Sequence, residues 1–140
     1  MRVLLDTNVL LDHLLERELF AQPASELLEL NARGTFEGYV SGITPINVFY
    51  IARKFIGRDK LQQFISDLLL AVRVCPIAHE VLNQAFALPF SDYEDAVQHA
   101  SATASGLDAI VTRNLEDYKN STLPIFSPTD FLNQLKAQTP

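Results

Sequence analysis

The sequence predicts an α/β fold, helices sandwiching a parallel sheet, on three observations. Short apolar runs rich in β-branched or aromatic residues alternate with segments whose apolar residues recur at helical spacing. The short runs show no polar/apolar alternation, the pattern of strands buried on both faces, and such strands are usually parallel. Residues that start and stop helices fall between the two kinds of segment.

Val3-Leu4-Leu5 is the first strand and ends abruptly at Asp6. Leu10, Leu11, Leu14 and Leu15 mark the first helix, and Ala24, Leu27 and Leu28 the second. Arg33-Gly34 stops the second helix, because glycine readily takes the left-handed backbone that follows a helix end. Tyr39-Val40 is the next strand. Thr44-Pro45 then reads as an N-cap followed by proline at the first helical position, which puts Asn47 third. The stripe of that helix is Val48, Ile51, Ala52 and Phe55. Leu61, Phe64, Ile65, Leu68 and Leu69 form another helix, Val72 to Val74 a strand, and Val81, Leu82 and Ala85 a fifth helix. Ser91 and Glu94 have the spacing of a capping box. They open a helix whose face, Ala96, Val97, Ala100 and Ala104, is small enough to pack closely on a sheet. Ser105-Gly106 ends it. Ala109-Ile110-Val111 and Ile125-Phe126 are the last strands, and Ser127-Pro128 opens a final helix carrying Phe131, Leu132 and Leu135.

With 140 residues, 48% hydrophobic and 20% charged, the chain suits one domain spanning residues 1–140. A chain of this size buries roughly 68–70% of its unfolded surface, so it needs no disulfide or metal to fold. Disorder is excluded, since that requires lower hydrophobicity. The net charge of −6 argues against a protein that grips nucleic acid by charge alone. It leaves open an acidic protein that acts on phosphates through carboxylate-held metal ions. Cys75, the one cysteine, reads as a small buried apolar residue. Asp6 interrupts the opening apolar run too early for a signal peptide. No stretch approaches the ~20 apolar residues of a membrane span. The expectation is a soluble cytoplasmic protein.

In a parallel α/β sheet, strand C-termini and helix N-termini share one edge, and ligands bind there. Asp6, Thr7 and Asn8 follow the first strand, Ser41 the second, and Asn47 lies in the first turn of the helix after it. Asp92 and Asp95 open the helix before Ala109-Ile110-Val111, and Thr112, Asn114 and Asp117 follow that strand. Carboxylates brought together raise one another's pKa unless a cation sits among them. Mg²⁺ or Mn²⁺ relieves that repulsion, because hard cations prefer carboxylate oxygen.

Each of these residues has a plainer reading. Asp6 could satisfy a strand-end turn, Asp92 could cap its helix, and Asp95 could answer the helix dipole. Asp117 could be a solvated loop acid, and Thr112 and Asn114 loop hydrogen-bonders. With Ser91 and Glu94 as the capping pair, Asp95 is left without a structural duty. His13 and His79 read as surface residues, and His99, one turn after Asp95, as incidental. Arg53, Lys54, Arg58 and Lys60 are the one local positive cluster, either a solvated helix end or a contact for an RNA backbone or acidic partner.

The motifs together resemble the PIN-domain family of metal-dependent ribonucleases, which includes the VapC-like toxins of bacterial toxin–antitoxin pairs. The resemblance is carried by Leu4-Leu5-Asp6-Thr7-Asn8-Val9-Leu10-Leu11-Asp12, by Ser41-Gly42-Ile43-Thr44 and by Glu94-Asp95-Ala96-Val97-Gln98-His99-Ala100. Ile110-Val111-Thr112-Arg113-Asn114 with Asp117-Tyr118, and Ser127 to Leu132, complete it. It implies a three-layer α/β/α sandwich with a central five-stranded, mostly parallel sheet. It implies Mg²⁺- or Mn²⁺-dependent cleavage of RNA, with Asp6, Asp95 and Asp117 as catalytic metal ligands. Asn47, Asp92, Thr112 and Asn114 are possible supporting residues. A homodimer and a cognate antitoxin are further implications. Two positions depart from the family pattern. Asn47 stands where an acid, usually Glu, is expected, and Asn114 where an acid commonly follows Thr-Arg. Two other readings remain: a related domain that binds RNA or a protein without turnover, and an unrelated phosphotransferase or hydrolase on a similar sheet.

Overall fold

Among the described residues, five strands form one sheet in which every neighbouring pair runs parallel. The computed structural model describes residues 1–138. In chain order the elements are β1 (Arg2–Leu5), α1 (Thr7–Leu14), α2 (Ala21–Ala32), β2 (Glu37–Ser41), α3 (Thr44–Ala52) and α4 (Arg58–Ala71). There follow β3 (Arg73–Cys75), α5 (His79–Ala87), α6 (Tyr93–Ala104), β4 (Ala109–Val111), a 3₁₀ turn over Leu115–Tyr118, β5 (Ile125–Phe126) and α7 (Pro128–Gln138). The sheet order is β3-β2-β1-β4-β5. The chain therefore builds outward from β1 on one side, then crosses back to place β4 on the other. The ends of β1, β2 and β4 meet at that reversal, where open α/β sheets bind ligands.

Strand alternation sorts the core into two layers. Val3, Leu5, Ala109 and Val111 face a cluster with Leu10, Leu27, Val48, Leu61 and Phe131, from α1, α2, α3, α4 and α7. Leu4 and Ile110 face the opposite way, toward Ala102 of α6 and Tyr118. Beyond them, Val81 and Ala85 of α5 pack on Ala96, Val97 and Ala100 of α6. The small-residue stripe of α6 therefore packs on α5 and not, as predicted, on the sheet, and Ala102 is the α6 residue that meets Leu4 and Ile110. This is the expected three-layer sandwich, and all its strand pairs are parallel.

Several local expectations are corrected. Thr44 does not cap α3. Its hydroxyl is buried against that of Thr7 at 3.0 Å, and Ile43 holds the cap position, so Asn47 is the fourth helical residue. A tertiary partner has outcompeted the local cap. The predicted stripe of α3 also ends early: Val48 and Ala52 are buried, whereas Ile51 is exposed and Phe55 lies past the helix in solvent. Leu69, Leu82 and Ala104 are exposed as well. The third strand starts one residue later than predicted, because Val72 still belongs to the α4 terminus, its N–H donating to Leu68 O. It is an edge strand with Arg73 and Val74 exposed, not one buried on both faces.

Other local readings hold. Gly34 and Gly106 have φ of +80° and +68° just after their helices. Ser127 Oγ accepts the Asp130 N–H at 3.1 Å. Cys75 is buried, and burial pushes its thiol pKa up. His13 is not a free surface residue: it is half-buried, 2.7 Å from Ser25 Oγ, with its ring against Phe64, and burial lowers its pKa. Asp12, at the end of the opening motif, is 1% exposed and takes Arg17 on one oxygen and Arg113 on the other, at 3.2 and 2.8 Å. Phe20 lies under the Arg113 guanidinium. This buried pair of bridges ties the α1–α2 loop to the residues that follow β4.

Candidate active site

The backbone puts Asp6 at the centre of the strand edge. Leu5 pairs with Val111, and the Asp6 N–H donates to Val111 O at 3.0 Å. That register sets Asp6 beside Thr112, whose hydroxyl donates to Asp6 Oδ2 at 2.8 Å. Gln98 Nε2 donates to Asp6 Oδ1 at 2.9 Å. Asp6 is 2% exposed. Burial raises its pKa, and the bonds from Thr112, Gln98 and the Thr7 and Asn8 backbone work against that rise. Both its oxygens accept hydrogen bonds, which favours the carboxylate.

Asp95 comes from the first turn of α6. The helix cap is Asp92, not Ser91: its carboxylate accepts the Asp95 N–H at 3.1 Å. The expected Ser91–Glu94 box fails because Glu94 reaches across to α3, where Asn47 Nδ2 donates to its Oε2. Asp92 is thus a capping residue, although its charge still acts on the site. Asp95 does have a hydrogen-bond partner, since the Tyr118 hydroxyl donates to its Oδ1 at 3.3 Å. Burial first, then the charges of Asp6, Asp92, Asp117 and Glu94, push the Asp95 carboxyl up to about 7. Glu94 is raised by burial and by Asp6 and Asp92. Burial and the charges of Asp6, Asp95 and Glu94 raise the Tyr118 phenol, so that it stays a donor.

Asp117 sits on the exposed 3₁₀ turn and joins the group through its charge on Asp95. Thr112 is buried, and its oxygen also accepts the Asn114 N–H at 3.1 Å, so Asn114 enters through its backbone. His99 points elsewhere: its Nε2 accepts the Thr122 N–H, its ring packs on Phe90, and burial lowers its pKa. Arg53, Lys54, Arg58 and Lys60 are exposed, with the Arg53 guanidinium 4.7 Å from the Tyr50 ring centre.

Sequence reasoning missed Glu94, Gln98 and Tyr118. The signal was present, since Gln98 is one turn after Asp95 and so lies on the helix side that carries that acid, where α6 is buried from Ala96 to Ala102. A buried glutamine there requires partners. Glu94 was hidden by its fit to a local cap.

In donor chemistry the site fits a hard divalent cation. It offers oxygen donors, and every charge acting on Asp95 is negative. Among the described residues, no three His, Cys, Asp or Glu side chains stand close enough together to hold one ion as placed. Among the described residues, no helix is long and apolar enough to cross a membrane.

A family profile for the PIN domain matches residues 2–116. A toxin–antitoxin complex from Klebsiella pneumoniae is similar in structure, with a TM-score of 0.68 at 25% identity, covering 90% of this chain and 97% of that one. VapBC2 from Rickettsia felis, bound to promoter DNA, superposes with a TM-score of 0.69 at 16% identity over 91% of this chain and 98% of that one. VapC20 from Mycobacterium tuberculosis, described as a sarcin–ricin loop cleaving toxin, gives 0.62 at 14% identity over 77% and 86%. At those last two identities the likeness is one of fold. Comparison with curated protein sequences gave no match.

Proposed function

Because this chain belongs to the PIN domain family, we propose that it is a metal-dependent endoribonuclease, the toxin of a type II toxin–antitoxin pair, acting as one domain over residues 1–140. The observation that carries this reading is the meeting of Asp6 and Asp95 at the sheet reversal, where the charges of Asp6, Asp92, Asp117 and Glu94 all push the Asp95 carboxyl up. Asp6, Asp95 and Asp117 would hold Mg²⁺ or Mn²⁺. Such an ion, when bound, supplies positive charge for the phosphodiester oxygens and lowers the pKa of water beside it.

The chain's own groups do the rest. Thr112 and Gln98 fix the Asp6 carboxylate. One of the three acids takes the proton of the attacking water. Asn47 and Asn114 orient water or a phosphate oxygen, and Asn47 also steers Glu94, which adds a carboxylate beside the missing family acid. Arg53, Lys54, Arg58 and Lys60 contact the RNA backbone.

An exposed apolar surface supports a homodimer. Ile46 and Tyr50 on α3, Leu82 and Phe86 on α5 and Tyr93 at the start of α6 are all exposed. Asn47–Glu94 and the bond from the Tyr93 hydroxyl to Leu82 O link the elements that carry them. Solvent-exposed apolar groups in one region mark interaction surfaces. The antitoxin partner is supported by the similar Klebsiella complex. The cytoplasm, where RNA and a co-translated antitoxin are met, is the compartment that goes with this reading.

The test is cleavage of single-stranded and structured RNAs by purified protein with Mn²⁺ or Mg²⁺, abolished by EDTA. Cleavage unchanged in EDTA, or absent across metals and substrates, refutes the nuclease reading. The unclosed ligand set favours a second reading, a domain that binds RNA or a protein without turnover. Retention of RNA with no metal-dependent cleavage would select it.

A further inference from the structure

We infer that Gln98 and Tyr118 are positioning residues that tie Asp6 to Asp95 and thereby set which divalent cation the site accepts. The inference rests on the metal-dependent reading above.

The direction of every hydrogen bond in this network follows from chemistry. The Thr7 N–H can only donate, so the Gln98 oxygen faces it, at 3.2 Å. The two hydrogens on Nε2 are then aimed at Asp6 Oδ1, 2.9 Å away, and at the Tyr118 oxygen, 3.2 Å away. Tyr118 accepts that bond, so its one proton goes to Asp95 Oδ1. On the far side of Asp6, Thr112 accepts from the Asn114 N–H and donates to Oδ2. The chain runs from one carboxylate to the other with no donor to spare.

Both linking side chains are held firmly. Gln98 is fully buried and Tyr118 is 1% exposed. Gln98 lies on α6 one turn from Asp95, so it shares a rigid element with one of the acids it ties. The Tyr118 ring packs edge-on against Phe90 and belongs to the cluster that includes Leu4 and Ile110. Leu4 is two residues before Asp6, so the ring is braced on the strand that carries the other acid. A broken link would strand a buried donor, at a cost that keeps the network closed.

A fixed pair of carboxylates discriminates among ions. Mg²⁺ is small and demands near-ideal octahedral geometry at short distances, and Mn²⁺ favours a similar oxygen set. Ca²⁺ accepts larger and looser shells. Gln98 and Tyr118 carry no charge, so their effect on an ion passes through the placement of Asp6 and Asp95.

The test is titration calorimetry of full-length protein with MnCl₂ and with CaCl₂, for the parent, Tyr118→Phe and Gln98→Met. Tyr118→Phe keeps the ring and its packing. Loss of an outer-shell partner typically weakens a metal site about 10–100-fold, and the lower end is expected for Mn²⁺ here. Ca²⁺ binding should change far less, so the preference for Mn²⁺ over Ca²⁺ collapses. Gln98→Met should lose more, and if it does not fold, Tyr118→Phe still decides. Unchanged Mn²⁺ binding in folded Tyr118→Phe, or equal weakening for both ions, overturns the inference while leaving the nuclease reading intact. A parent that binds no Mn²⁺ overturns both.

Discussion

Asp95→Asn separates the demands of the site from the demands of the fold. A carboxyl moved from 3.8 to about 7 favours its neutral form when folded. The folded chain then holds a proton that the unfolded chain has released, so stability falls as pH rises from about 4 through 7 and levels off above. At about 1.4 kcal/mol per pH unit, that rise sets a ceiling of about 4 kcal/mol. Asp95 is half-buried and water screens it, which brings the figure to about 1–2 kcal/mol. The lost charge also forfeits a few tenths of a kcal/mol to about 1 from the α6 dipole. The Tyr118 hydroxyl can still donate to an asparagine oxygen. The net expectation is about 1 kcal/mol of added stability, or roughly 3–4 °C in Tm for a chain of this length. The assay is thermal unfolding by circular dichroism in EDTA at pH 8 and pH 5. The variant should melt higher at pH 8, with the gap closing at pH 5. Saturating Mn²⁺ should reverse the order, because the parent gains binding free energy that the variant lacks. A variant that melts lower than its parent at pH 8 in EDTA, by about 1 kcal/mol or more, would show that Asp95 serves the helix start and would refute the argument.

Three further perturbations follow from the same geometry. Asp12→Asn removes the charge between Arg17 and Arg113 and should cost about 2–4 kcal/mol in urea unfolding, toward the low end of a broken buried pair because both guanidinium groups reach solvent; a loss under ~1 kcal/mol would mean the bridges are incidental. Gly38→Ala would set its Cβ 2.9 Å from Asn31 Oδ1, which is held by the Gly38 N–H while Asn31 Nδ2 holds Ala71 O, and should destabilise by about 1–3 kcal/mol in the same assay; parent-like stability would show that Asn31 yields freely. Asn47→Glu replaces a donor to Glu94 with a second carboxylate, so Tm in EDTA should fall while Mn²⁺ affinity in calorimetry rises about tenfold, within the ~1–4 kcal/mol of one added charge at ~4 Å. Unchanged affinity would place residue 47 outside the site.

Local sequence sufficed wherever short-range physics is in control. The apolar runs at Val3–Leu5 and Ala109–Val111 became central strands because nothing but a doubly covered sheet buries them. The glycines at 34 and 106 ended helices because their backbone permits a positive φ. Asp6, Asp95 and Thr112 were legible as strand-end and helix-start residues, since a parallel sheet sends both to one edge. Tertiary structure decided which partner each polar group took. Thr44 reads as a cap and Glu94 as half of a capping box, yet each found a partner on another element, Thr7 and Asn47. Gln98 and Tyr118 became the link between two acids 89 residues apart only when β1, β4 and α6 came together. A side-chain hydrogen bond depends on atoms meeting within about 3 Å, and local pattern carries no information about which distant atoms will be there.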